Sequence, residues 1–229
     1  MKIQITKKHI LCSTDENYVP YCGVMLTSVL ENNDDVNIYI NVSPDFSEKS
    51  KNKLKILEKK YTCSVNFVTI DPKQLSLCRT DCNEYISVAT YYKIFAAQLL
   101  PSDLKKVLYL DCDIIINNLL DDLWNIDISN YALAGVDDIF SENDNTYQRL
   151  NYSKSYSYVN AGMLLINLEY WRKNNVLQNC LNYIEKNYND ILWCEQDVLN
   201  ALYHKFIDST NFTLICITSN FQLAIAKYN

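Results

Sequence analysis

The chain has 229 residues, 48% of them hydrophobic, and a formal net charge of −6. This length suits one sizeable α/β domain, and we expect a single domain over residues 1–229. The acidic balance, with no basic cluster beyond short lysine runs, argues against a nucleic-acid partner. With only three glycines, the chain has neither GxGxxG nor GxxxxGK[ST]. The usual glycine-rich phosphate loops are therefore excluded.

The N-terminal residues are polar and basic with no apolar segment behind them, and no run reaches the length of a membrane span. We therefore expect no signal peptide, no integral membrane segment and a cytoplasmic location, with peripheral membrane association left open. The nine cysteines are odd in number and form no CxxC, which favours buried, reduced thiols in a reducing compartment. His9 and His204 have no metal-ligand spacing, so we expect no zinc site.

Hydrophobic periodicity predicts elements in alternation along the chain. Strands are predicted, in order, at 9–13, 36–42, 65–70, 107–110, 131–137 and 207–217, and 158–168 is also apolar. Helices are predicted at 21–31, 47–60 with Ser47 as N-cap, 88–100 before Pro101, 176–188 and 195–203, and residues 119–124 are predicted to form a short turn or helix. Residues 71–83 read as a loop or short helix, and the polar segment 139–157 reads as a mobile loop.

The opening strand-helix-strand-helix-strand order implies a parallel sheet with right-handed crossovers. In such sheets, ligands bind beyond the carboxyl ends of the strands. Two acidic positions fall at predicted strand ends, one at Asp15 and the other at the pair Asp111 and Asp113. We therefore expect both to lie at the ligand-binding edge.

Asp111-Cys112-Asp113 stands between two apolar runs, with a predicted buried strand before it and Ile114 to Ile116 after it. An ionised carboxylate is costly in such a setting unless a positive charge compensates it. Mg²⁺ or Mn²⁺ bound to both carboxylates would do so and could also hold phosphates. A solvated strand end carrying two acids is the alternative, and spacing alone leaves both interpretations open.

Four segments in order identify a resemblance: residues 12–18 (CSTDENY), 106–116 (KVLYLDCDIII), 159–168 (VNAGMLLINL) with Trp171-Arg172, and 195–200 (EQDVLN). Together they resemble the retaining glycosyltransferases of family 8, over almost the whole chain. The resemblance implies an α/β fold of the GT-A type, a Rossmann-like and mostly parallel sheet flanked by helices. It also implies transfer of galactose or glucose from UDP-galactose or UDP-glucose to a saccharide or glycoconjugate acceptor.

The resemblance assigns the nucleotide and metal contacts. Asp111 and Asp113 would hold Mn²⁺ (or Mg²⁺), with Cys112 between them in the donor site. The uracil and ribose side would be formed by Ser13, Thr14, Asp15, Asn17 and Tyr18, and Lys93 would meet phosphate where the family has Arg. For Asp15 and its neighbours, a loop that caps the following helix is the alternative.

The resemblance also assigns the sugar side of the site. Asn160 and Ala161 would touch the donor sugar, and Asp137 would hold donor or acceptor hydroxyls. Gln196, beside Glu195, would lie near the anomeric carbon; an amide is a poor nucleophile, so an internal-return mechanism suits it better. The alternatives are a tight turn at 160–162, a solvated strand end at Asp137, and helix N-terminal acids at 195–197.

The sequence departs from the family at its C-terminal side. Members carry a His-x-x-Gly-x-x-Lys segment that supplies a third metal ligand and a diphosphate contact, and residues up to Asn229 contain none. His204, in a predicted helix, is a weak substitute. An alternative to the active transferase is therefore a truncated or degenerate relative that binds a UDP-sugar without catalysis.

Overall fold

A computed structural model describes residues 7–78, 87–138 and 145–209. Its sheet has seven strands in the order β3-β2-β1-β4-β6-β5-β7. These are β1 (Lys8–Ser13), β2 (Val36–Val42), β3 (Cys63–Thr69), β4 (Lys106–Leu110), β5 (Leu133–Asp137), β6 (Val159–Asn167) and β7 (Ile207–Ser209). β6 is antiparallel to both β4 and β5, whereas the other four strand pairs are parallel. The predicted mostly parallel α/β sheet is confirmed.

Helices connect the strands and cover the sheet. The α-helices are α1 (Val19–Asn32), α2 (Glu48–Lys55), α3 (Leu57–Lys60), α4 (Ala96–Leu99), α5 (Asp121–Trp124), α6 (Thr146–Arg149), α7 (Leu168–Lys173), α8 (Val176–Lys186) and α9 (Cys194–Tyr203). 3₁₀ turns occupy Pro72–Leu75, Val88–Phe95, Tyr188–Asp190 and His204–Phe206. Ser47 caps α2 as predicted, because its hydroxyl accepts from the Ser50 N–H.

Successive side chains of each strand point to opposite faces of the sheet, so a hydrophobic core forms on each face. On β1, Ile10 and Cys12 pack with α1, whereas Leu11 faces the opposite core. On β4, Leu108 belongs to the first core and Tyr109 to the second, which also contains the buried faces of α8 and α9. The sheet is therefore covered on both sides, as the near-continuous apolar strands indicate.

Two local predictions and one of the alternative interpretations were wrong. Residues 88–100 form a 3₁₀ segment followed by α4, although the helix does end before Pro101, with Leu100 in the extended conformation that precedes proline. The described part of the predicted mobile loop contains α6, whose Arg149 is paired with buried Asp197. Residues 160–162 lie inside β6, so they are no tight turn. Parts of the segments predicted at 71–83, 139–157 and 207–217 fall outside the described ranges. For those parts, the secondary-structure predictions stay untested.

The topology places two of the predicted segments side by side. β1 and β4 are adjacent parallel strands, with Leu11 opposite Tyr109 in register. Both therefore end at the same edge, where the loop after β1 meets the turn after β4. No helix in the described ranges is long and apolar enough to cross a membrane.

Candidate functional site

An open pocket of about 250 Å³ lies at this edge of the sheet. It is lined by Ser13, Thr14, Asp15, Tyr18, Asp111, Cys112 and Asp113, all predicted from the sequence, together with Ser87, Ala89, Thr90 and Tyr109. The two predicted groups are almost a hundred residues apart in the chain. The pocket lies where an α/β sheet commonly binds its ligand.

The turn after β4 presents two carboxylates to this pocket. Asp111 directly follows β4, and its N–H donates to the Gly162 carbonyl oxygen at 2.8 Å, so the backbone of β6 fixes the turn. Burial, followed by the nearby Asp111 carboxylate, raises the pKa of Asp113 to about 6. A partly desolvated Asp113 carboxylate beside that of Asp111 fits a hard divalent cation, which these oxygen ligands suit.

The loop after β1 is held in place by its own side chains. The Asp15 carboxylate accepts from the backbone N–H groups of Asn17 and Tyr18 at 2.9 and 3.0 Å. Glu16 reaches across to α2 and accepts from the Ser47 N–H and the Ser50 hydroxyl. Asp15 therefore caps the turn that leads into α1, whereas α1 itself begins after Tyr18 without a side-chain cap, and the same contacts fix Asp15 at the pocket wall.

Lys93 is buried behind the pocket and does not face it openly. Its ammonium lies 2.6 Å from Glu195 Oε1 and 3.5 Å from Asp111 Oδ1, donates to the Ala161 carbonyl oxygen at 2.9 Å, and lies over the Tyr109 ring. Burial alone would lower the pKa of Lys93, but the Asp111 and Glu195 carboxylates outweigh it and raise this pKa. Lys93 is therefore a charged residue that orients Asp111.

Glu195 is also buried and acts on the same network. Its two carboxylate oxygens accept from the Thr90 hydroxyl at 2.8 Å each, in addition to the Lys93 contact. Glu195 is therefore not an exposed acid at a helix N-terminus. Thr90 and Lys93 lie between Glu195 and the pocket, and the sequence position of Glu195 did not indicate this arrangement. Glu195 supports the site from behind.

An irregularity in β6 exposes backbone groups to the site. The pairing of β5 with β6 shifts between Gly135 and Val136, so that residues 161–163 have no partner in β5. Ala161 is thereby free to accept from Lys93 and to donate its N–H to Gln196 Oε1 at 2.9 Å. This is a bulge that redirects backbone groups, of the kind common beside functional sites.

Gly162 allows the close approach of two side chains. A Cβ at this position would lie 2.9 Å from Asn160 Oδ1 and 3.0 Å from Asp111 Oδ2. Asn160 also accepts from the Gly162 N–H at 2.8 Å. Any side chain at residue 162 would therefore displace the carboxylate of Asp111 or the amide of Asn160.

Gln196 is held by both ends of its amide. Besides accepting from Ala161, it donates through Nε2 to Asp138 Oδ2 at 2.9 Å, and Asn160 donates to the same oxygen at 3.3 Å. Asn160, Ala161 and Gln196 thus belong to one cluster, as the resemblance implies. The acid in this cluster is Asp138.

Two sequence candidates lie elsewhere. Asp137 is exposed, because successive residues at the end of β5 point to opposite faces and the cluster takes Asp138 instead. His204 stacks on Tyr152, with ring centroids 4.5 Å apart, and its Nδ1 lies 3.1 Å from the Ala201 carbonyl oxygen. His204 therefore packs against Tyr152, and neither residue lines the pocket that contains Asp111 and Asp113.

The site also includes residues that the sequence did not single out, among them Thr90, Tyr109 and Asp138. Tyr109 donates its hydroxyl to Asp111 Oδ1 at 2.7 Å. Its position two residues before Asp111 on β4 was a usable signal, since such residues share a face. Thr90 lies in an irregular 3₁₀ segment, where no periodicity could assign its direction.

Comparison with known proteins identifies the family of the chain. Residues 9–221 match the family described as Glycosyl transferase family 8. A putative glycosyltransferase of Haemophilus influenzae is 34% identical over 217 residues, covering 90% of this chain and 63% of the relative. The lipopolysaccharide 1,2-glucosyltransferase of Escherichia coli K12 is 24% identical over 196 residues, covering 85% and 57%.

Among solved structures, the galactosyltransferase LgtC in complex with donor and acceptor sugar analogues superimposes with a TM-score of 0.83 at 24% identity, over 89% of this chain and 73% of that one. This likeness confirms the expected GT-A type of fold. The chain spans less than two thirds of the length of both curated relatives. The family match over residues 9–221 includes all the site residues described above. The chain belongs to glycosyl transferase family 8.

Proposed function

We propose that the chain is a retaining hexosyltransferase that moves galactose or glucose from UDP-galactose or UDP-glucose to a saccharide or glycoconjugate acceptor, with Mn²⁺ or Mg²⁺. The observation that carries the proposal is the shared pocket of the Asp15 loop and the Asp111–Asp113 turn, at the ends of adjacent parallel strands. The glucosyltransferase and galactosyltransferase relatives support a hexose donor.

In this proposal, the two walls of the pocket bind different parts of the donor. The loop of Ser13, Thr14, Asp15, Asn17 and Tyr18 takes the uridine, since Asp15 offers an acceptor and Tyr18, 43% exposed, offers a ring face. Asp111 and Asp113 hold the divalent cation. When bound there, the cation would supply positive charge that offsets the negative charge developing on departing UDP.

The cluster on β6 and α9 takes the sugar. Asn160 and the Ala161 backbone are placed for its hydroxyls, and the doubly held amide of Gln196 would lie along the anomeric carbon. Because both ends of that amide are engaged, Gln196 suits a role in steadying an oxocarbenium-like centre better than a nucleophilic role.

Transfer with retention then follows by internal return. The bond from the anomeric carbon to the phosphate oxygen breaks, with its electron pair going to UDP. The acceptor hydroxyl oxygen bonds to the same face of that carbon, and its proton passes to the departing phosphate oxygen. Lys93 and Glu195 keep Asp111 oriented throughout and touch none of the reacting atoms.

Calorimetric titration with UDP, with and without Mn²⁺, followed by measurement of UDP release from UDP-galactose and UDP-glucose, tests the proposal. We expect metal-linked UDP binding and release from one of the two donors. The matched variant Asp111→Asn/Asp113→Asn should lose the metal-linked part of binding. Metal-independent binding that this variant retains would mean that the carboxylates have a structural role only.

A further inference from the structure

Three cysteine thiols converge directly beneath the acidic turn. Cys12 lies on β1, Cys22 on α1, and Cys112 between the two aspartates of the turn. Their sulfur atoms all lie within 4.8 Å of one another, and the sulfurs of Cys12 and Cys22 are 3.8 Å apart. Cys12 and Cys22 are fully buried and Cys112 is 8% exposed.

These separations match the ligand spacing of a thiolate metal site. A tetrahedral zinc ion bonds sulfur at about 2.3 Å, so two of its sulfur ligands stand about 3.8 Å apart. Cys12 and Cys22 already have this separation. Because the ligands come from positions 12, 22 and 112, no short motif in the sequence could reveal the cluster.

The cluster differs chemically from the carboxylate pair beside it. Thiolates are soft ligands that select Zn²⁺ and its heavier relatives, whereas carboxylates select Mn²⁺ and Mg²⁺. A polar group is also present, since the Ser13 carbonyl oxygen lies 3.1 Å from the Cys112 sulfur. Cys112 lines the open pocket, so a cation can reach the cluster from that side.

A buried thiol by itself is ordinarily a small hydrophobic residue. Cys180 is one such residue, fully buried in the opposite core and absent from the cluster. Among the described residues, Cys12, Cys22 and Cys112 are the one group of three or more potential metal-ligating side chains that lie this close together. Three thiols that come together from three separate elements in this way indicate a ligand-binding site.

We propose that Cys12, Cys22 and Cys112 form a binding site for one soft divalent cation of the Zn²⁺ class, separate from the carboxylate site. On binding, each coordinating thiol releases its proton to solvent and forms one metal–sulfur bond, with no change in oxidation state. The bound ion joins β1, α1 and the turn that carries Asp111 and Asp113. It thereby fixes the turn independently of any cation held by the carboxylates.

The test is a titration of the reduced full chain with Cd²⁺ as the probe. Cys82 and Cys216, which lie outside the described residues, are replaced by Ser in every variant. Binding is followed by the ultraviolet thiolate-to-metal charge-transfer band and by melting temperature. We expect one Cd²⁺ per chain and a rise in melting temperature with Cd²⁺ concentration.

The variants separate this site from its alternatives. Cys22→Ala should weaken Cd²⁺ binding by more than about 100-fold, since changes to groups that only support ligands already cost 10–100-fold. Cys180→Ala removes an equally buried thiol and should leave the Cd²⁺ affinity unchanged. Asp111→Asn/Asp113→Asn should retain the charge-transfer band, because the carboxylates do not form this site.

Three outcomes would overturn the proposal: no charge-transfer band, a band of equal strength in Cys22→Ala, or a band lost in Asp111→Asn/Asp113→Asn. If Cys22→Ala fails to fold, Cys112→Ala removes a different ligand, from the turn that lines the pocket. Retention of full Cd²⁺ affinity by Cys112→Ala would equally refute the site.

Discussion

The Lys93 ammonium lies 2.6 Å from Glu195 Oε1, and both side chains are almost completely buried. Asp111, 3.5 Å from the same ammonium, completes a group with two carboxylates and one cation. The pair therefore links α9 to the acidic turn of the pocket. The contacts of Lys93 within the chain are thus with Glu195, Asp111 and Ala161, and the phosphate contact that the resemblance implies for Lys93 stays a prediction.

Replacing Lys93 by Met should lower the free energy of unfolding by about 3–5 kcal/mol, because it leaves Glu195 buried without its partner. The double variant Lys93→Met/Glu195→Met removes the stranded charge and should recover most of that loss. Urea unfolding of the single and double variants measures both effects.

Lys60→Met is the matched control for this prediction. It breaks a pair with Glu31 in which the two side chains are 65% and 53% exposed, and it should cost far less stability than Lys93→Met, because water screens an exposed pair. A loss for Lys93→Met no larger than that of Lys60→Met would show that the buried pair does not hold this part of the site together.

Asp113 should destabilise the metal-free protein at neutral pH. Its pKa of about 6 lies above the ordinary value of 3.8, so the folded chain keeps a proton that the unfolded chain has lost. Ionisation of Asp113 therefore costs stability as the pH rises from about 4 to about 6, and the cost is complete above about pH 7. Asp113→Asn should thus stabilise the metal-free chain by about 1–3 kcal/mol at pH 8, and by less at pH 5.

Urea unfolding in the presence of a chelator at both pH values measures this difference. Asp34→Asn, at an exposed acid, is the control and should change stability little at either pH. Added Mn²⁺ should stabilise the wild-type chain and not the Asp113→Asn variant. An Asp113→Asn variant less stable than wild type at pH 8 without metal would contradict the argument.

The sequence predicted the ligand-binding edge well, for identifiable reasons. Parallel strands with helical connections bring their carboxyl ends together, so Asp15 and Asp111 could be assigned to one edge before their distance was known. The mostly parallel sheet followed from the same pattern. The resemblance then related Asn160 and Gln196, which the structure places in one cluster.

What the sequence missed depends on side-chain direction and irregular backbone. The bulge in β6, which leaves the backbone groups of Ala161 without a partner in β5, could not be predicted from hydrophobic periodicity. The acidic pair at the end of β5 was visible, but choosing Asp138 over Asp137 required knowing which face each occupies. Burial of Lys93 and Glu195 also could not be predicted, because isolated charged side chains are almost never fully buried and only their pairing permits it.

Asp138→Ala should reduce UDP release from the preferred donor by about 10–100-fold. Without Asp138, the Gln196 and Asn160 amides lose the carboxylate oxygen that orients them, and small displacements of positioning groups have effects of this size. Asp137→Ala, one residue earlier and exposed, is the matched control and should leave the rate unchanged. Equal losses in the two variants would mean that Asp138 does not act through Gln196.

Gly162→Ala should weaken Mn²⁺ binding by about tenfold or more, since the added Cβ would lie 3.0 Å from Asp111 Oδ2 and 2.9 Å from Asn160 Oδ1. Gly23→Ala is the natural control. Its added Cβ meets Leu54 at an ordinary 3.9 Å inside α1, where alanine should stabilise the helix by about 0.5–1 kcal/mol. Calorimetry with Mn²⁺ and urea unfolding together separate the two effects. If Gly162→Ala bound Mn²⁺ as tightly as Gly23→Ala, the position of the Asp111 carboxylate over β6 would have no bearing on the metal.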